Sequence, residues 1–137
     1  MNRVYIPQKK ENKYHAKKVK EDGVVYASKK EHRRYCELKM LERAGKISNL
    51  RTQVKYELIP SQWEEIETDE VYVRGSKTGQ KKKKKKCVEQ GVSYIADFVY
   101  CEGDKEIVED AKGMRPSDYV IKRKLMLYIL GIKVVEV

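Results

Sequence analysis

The sequence predicts an α/β fold, a mixed β-sheet flanked by helices in the order α-β-β-β-α-β. Three observations lead there: an amphipathic helical pattern near the start, several runs rich in β-branched and aromatic residues, and a second helical pattern followed by a short apolar tail. A chain of 137 residues is about one domain, long enough for a single core. That domain is placed at residues 23–137, behind a basic N-terminal arm over residues 1–22 that has no sustained period.

The first helix runs from Ser28 to Ala44, with Ala27, Tyr35, Leu38 and Leu41 recurring on one side and Gly45 as its stop. Residues 53–59 alternate in polarity and end at Pro60, which fits a strand closed by a residue that cannot continue the ladder. An acidic stretch over residues 64–70 and a glycine-containing turn lead into six consecutive lysines, Lys81, Lys82, Lys83, Lys84, Lys85 and Lys86. Residues 61–90 read as a mobile basic excursion, with a protruding hairpin as the alternative and Trp63 as the anchor of its start or a base-stacking side chain.

Order returns at residues 92–100 and 106–112, joined through Glu102-Gly103-Asp104 as a β-hairpin. Pro116 suits a first helical turn and Gly131 a terminus, giving a second helix over residues 117–130. Residues 132–137 form the last strand, which a crossover through that helix would lay parallel to a neighbour.

With Gly103-Asp104 as a two-residue loop, Glu102 faces Lys105 and Asp97 stands opposite Asp110. Side chains so opposed have Cβ atoms about 5 Å apart, where two bare carboxylates repel. Lys112 emerges on the same face as Asp110, two residues along. One ammonium satisfies two carboxylates poorly, whereas Mg2+ takes one or two carboxylates and fills the rest of its octahedron with water and phosphate. Glu31 falls on the apolar side of the first helix at about 100° per residue, so it needs a partner and can reach the Asp97/Asp110 end directly or through water. The plainer alternatives are a capping box, in which Glu31 only serves Ser28, and a solvated sheet face for the two aspartates.

Glu31 in a first helix, Tyr94-Ile95-Ala96-Asp97-Phe98 in a strand and Val108-Glu109-Asp110-Ala111-Lys112-Gly113 in the next together resemble the PD-(D/E)xK nuclease superfamily, over residues 13–137. The closer likeness is to a branch found in bacteriophages and prophages, some of whose members resolve branched DNA. The resemblance implies a restriction-endonuclease-like core in which Asp97, Asp110 and the Ala111 carbonyl bind Mg2+, with Mn2+ as substitute, and Glu31 completes the metal shell. Lys112 would orient the attacking water and stabilise the pentavalent phosphate. Two departures are Ala96 in place of the nominal proline and Asp110 in place of the more frequent glutamate, and they leave Glu109 as an alternative second ligand.

The implied activity is metal-dependent hydrolysis of DNA by a homodimer, since two strand cuts need two sites, with branched DNA or Holliday junctions as the structure selected. A silent DNA-binding protein on the same fold, or a nuclease for RNA or single-stranded ends, are the alternatives. A formal charge of +10 suits a polyanionic partner, and +10 − 6 = +4 remains without the lysine run. That run, with Arg115, Lys122, Arg123 and Lys124, is the expected phosphate-contacting set, tracking backbone more than sequence.

No apolar stretch reaches the roughly 18 residues a membrane span requires, and the N-terminus lacks the apolar core of a secretory signal. Cys36, Cys87 and Cys101 form no CxxC pair, so reduced thiols in the cytoplasm of a bacterial or phage-infected cell are expected and zinc is not. His15 and His32 are assigned no role.

Overall fold

A computed structural model describes residues 17–21, 24–26 and 28–137. Its elements are β1 (Val19–Glu21), β2 (Val24–Tyr26), α1 (Lys29–Arg43), β3 (Ser48–Ile59), β4 (Gln62–Val71), β5 (Lys81–Glu89), β6 (Val92–Glu102), β7 (Lys105–Asp110), α2 (Ser117–Leu130) and β8 (Val135–Glu136). The class is the expected mixed α/β, and the order differs from α-β-β-β-α-β at two places. The hairpin β1-β2 precedes α1, its strands being three residues each and too short to show a period. Most of the expected N-terminal arm, with His15, lies outside the described residues, as does Ala27; Val19–Glu21 of that arm is β1.

The second difference is the central segment, where the hairpin alternative holds: β4 and β5 pair as an antiparallel hairpin. Its register explains why a lysine run can be a strand: Glu64 faces Lys86, Glu65 faces Lys85 and Glu67 faces Lys83, so opposite charges meet across the ladder. Lys82 also stands 3.7 Å from Glu70 and over the Tyr72 ring. Like charges along one strand are tolerated because the partner strand carries the complement.

Among the described residues the remaining strands make a four-stranded sheet in the order β3-β6-β7-β8. Two compact units emerge: the residues up to Val54 with Ala96–Ser117 and Val134–Val137, and Lys55–Ile95 with Asp118–Lys133. In the second unit, Leu58, Tyr94, Tyr119 and Met126 are buried, and the Tyr94 and Tyr119 rings lie 6.3 Å apart.

In the first unit, α1 starts where expected. Ser28 is extended, and its Oγ accepts from the Glu31 amide at 3.2 Å. The helix ends in a Schellman motif: Gly45, at φ 71, donates to the Glu42 carbonyl and Lys46 donates to that of Leu41. Tyr35, Leu38 and Leu41 on one face of α1 join Ile47, Leu50, Phe98, Tyr100, Ile107, Ala111 and Val137 in one apolar cluster. Phe98 and Leu38 have no exposed surface, so this cluster carries the largest side-chain burial in the unit.

The β6-β7 register is the one the turn dictates. Glu102 pairs with Lys105 and Phe98 with Glu109 across Gly103, whose φ of 58 suits the primed turn. Continued one step, it sets Asp97 against Asp110. β8 lies parallel to β7, with Asp110 beside Glu136, and the Val137 amide donates to the Asp110 carbonyl at 3.0 Å. The α2 crossover therefore returns the chain alongside β7 as expected.

Candidate active site

Because β7 alternates, its last two residues, Glu109 and Asp110, face opposite sides of the sheet, and both are fully buried. Glu109 is held on the side of α1. Arg34 grips it with Nε 2.6 Å from Oε1 and an Nη 3.0 Å from Oε2, while the Tyr100 hydroxyl donates to Oε2 at 2.7 Å. Burial, and then the hydrogen bond to Glu109, push the Tyr100 hydroxyl up to about 12. Glu109 is thus committed to anchoring α1 on the sheet, and Asp110 is the acid left for the opposite side.

There, Lys112 Nζ lies 3.1 Å from Asp110 Oδ1, as its position two residues along predicts. The Ala111 amide donates to Asp97 Oδ2 at 2.9 Å, tying β6 to the end of β7. The Lys30 ammonium donates to the Lys112 carbonyl at 3.0 Å, tying α1 to the residue after Ala111.

Glu31 is buried, 5% exposed, and its Oε1 accepts from Gln53 Nε2 at 3.0 Å. The same Nε2 is 3.4 Å from Asp97 Oδ1. Gln53 therefore bridges Glu31 and Asp97, its amide NH2 donating to both carboxylates. Its backbone is in the left-handed region at φ 53, an uncommon conformation for a residue with a side chain. Sequence reasoning missed Gln53, since alternation places it on a strand but says nothing of an aberrant φ.

The acidic centre is electrostatically crowded. Asp97 is pushed up to about 7, first by burial and then by the charge of Asp110, with Glu31 adding to the rise; the Ala111 amide and Lys112 oppose it. Without an added positive charge the centre thus tends to retain a proton. The donors are carboxylate oxygens, the type Mg2+ selects. Among the described residues, the three ligand-type side chains whose donor atoms all lie within 4.8 Å of one another are Glu21, His32 and Cys36, not Glu31, Asp97 and Asp110.

This proton has a measurable consequence. In the unfolded chain Asp97 ionises near 4, so its raised folded value contributes stability that is complete below about pH 4 and is lost as pH rises through about 7, on the order of a few kcal/mol. Metal-free Asp97→Asn, which stays neutral, is expected to gain stability relative to the parent as pH goes from 5 to 8. A stability difference that stays flat across that range, measured by denaturant unfolding in EDTA, would contradict the raised value.

The expected phosphate-contacting residues fall in both units. Arg115, in the same unit as the acidic centre, pairs with Glu136. Lys122 and Arg123 are half-buried and Lys124 is exposed, all on α2; they and Lys81–Glu89 belong to the other unit.

The fold and this centre define a mixed α/β protein with a half-buried and a fully buried aspartate beside a lysine. Residues 11–131 match the model of the family described as "Protein of unknown function (DUF1064)", and the chain belongs to that family. No curated protein and no solved structure matches it.

Proposed function

We propose that this chain is a Mg2+-dependent DNA endonuclease with a restriction-endonuclease-like core of the PD-(D/E)xK type, with Mn2+ able to replace Mg2+. The observation that carries this reading is Asp97, one residue beyond the Phe98–Glu109 pair, accepting from the Ala111 amide at 2.9 Å and feeling the charge of Asp110, whose Oδ1 is 3.1 Å from Lys112 Nζ. Paired acids followed by a lysine at this spacing suit phosphodiester hydrolysis better than any nucleophilic side-chain chemistry, for no serine, cysteine or histidine stands among these groups.

Asp97 and Asp110 would hold the ion with the Ala111 carbonyl, and Glu31 would orient water in its shell. The ion, when bound, lowers the pKa of water and offsets phosphate charge. Lys112 is a point charge beside the acids, suited to the attacking water and to the charge that builds on phosphorus oxygens. Lys30, which holds the Lys112 carbonyl, keeps that segment in place.

The partner is DNA, with branched DNA and Holliday junctions the structures to try first and two copies of the chain acting together. The exposed apolar residues Ile121, Leu127, Tyr128, Ile129 and Leu130 on α2 support self-association. Cleavage of linear, single-stranded, nicked and four-way substrates, with Mg2+ and with EDTA, tests the proposal. Metal-dependent nicking of at least one DNA is expected. Binding without hydrolysis of any of them would replace it with the silent DNA-binding reading, and hydrolysis of RNA alone would replace the substrate.

A further inference from the structure

We infer that Glu21, His32 and Cys36 form a second metal site, for a soft divalent transition metal, distinct from the carboxylate centre. His32 and Cys36 are four residues apart on α1 and so share one face, with Sγ 3.8 Å from Nε2. Glu21, from β1, brings its carboxylate to the same Nε2. All three donor atoms lie within 4.8 Å of one another. Zinc bonds of about 2.0 Å to nitrogen and about 2.3 Å to sulfur put tetrahedral ligands roughly 3.5 Å apart, which the His32–Cys36 separation approaches, while the directly hydrogen-bonded Glu21 and His32 would part to admit the ion.

The chemistry of the donors separates this site from the first. A thiolate and an imidazole select zinc-like ions, whereas Mg2+ prefers oxygen throughout. The imidazole is oriented by the edge of the buried Tyr26 ring, whose centroid is 4.9 Å away. The Glu21 and His32 side chains are 54% and 24% exposed, which leaves a fourth position open to water. On binding, the Cys36 thiol releases its proton to solvent and the sulfur takes the metal in its place. A bound ion would fasten β1 to the first turns of α1, next to Glu31. The sequence argument against zinc counted cysteines alone; it could not see a strand carboxylate folded onto a His-x3-Cys face.

The test uses the full chain, stripped of metal and reduced. Zn2+ is titrated by calorimetry, and Co2+ is followed by its thiolate charge-transfer absorption. One thiolate-bound ion per chain is expected beside any ion on the carboxylate centre, with the absorption band lost in Cys36→Ser and kept in Cys87→Ser and Cys101→Ser. His32→Ala and Glu21→Gln should each weaken Zn2+ at least about tenfold, with the far-ultraviolet spectrum of each variant confirming that it folds. Asp97→Asn with Asp110→Asn should leave Zn2+ binding intact, so failure of the nuclease reading does not carry this one with it. Absence of a thiolate band in the parent chain, or a band that survives Cys36→Ser, overturns the proposal.

Discussion

Asp110→Asn is expected to remove metal-dependent DNA cleavage, by roughly a hundredfold to a thousandfold or more, the scale of losing one electrostatic stabiliser at a reaction centre. The residue is fully buried beside Lys112 and opposite Asp97, so the change removes charge while conserving shape. DNA binding should persist or tighten, because one negative charge is withdrawn from the vicinity of a phosphate. Cleavage rates under excess Mg2+ and binding in EDTA separate the two effects. Nicking by the variant at the parental rate would reject Asp110 as a metal-holding residue.

Arg34→Ala is the substitution with the largest expected cost in stability, about 3–5 kcal/mol, because it strands a buried carboxylate. Glu109 is fully buried and would keep only the Tyr100 hydroxyl of the partners seen here. Denaturant unfolding measures the loss. Combining Arg34→Met with Glu109→Met removes both charges, and the pair should cost clearly less than the sum of the two single changes. A loss below about 1 kcal/mol for Arg34→Ala would mean that water or another cation reaches Glu109.

Much of the acidic centre could be read from the chain because it depends on local rules. A two-residue turn at Gly103 fixes pairing outward along both strands, and that alone brings Asp97 to Asp110. The same locality gave α1 to within a residue at each end, and α2 at Ser117–Leu130. What escaped depended on segments far apart in sequence. The acidic and basic runs of β4 and β5 each read as solvated on their own, and their meaning arises only once Glu64 meets Lys86. Arg34 and Glu109 are separated by 75 residues, and no periodicity announces such a pair. Gln53 was hidden by its backbone angle, and the Glu21, His32 and Cys36 group by a strand of three residues. The family match confirms membership, while its description leaves chemistry to be argued from the side chains.

Neighbouring Glu109 and Asp110 give the β7 strand an unusual safeguard. A slip of one position in the hairpin would exchange their sides, sending the wrong acid toward Arg34 and the wrong one toward Lys112. Such a molecule would forfeit its helix anchorage along with the Asp110–Lys112 pair. Misaligned chains should therefore unfold instead of persisting as a second folded form.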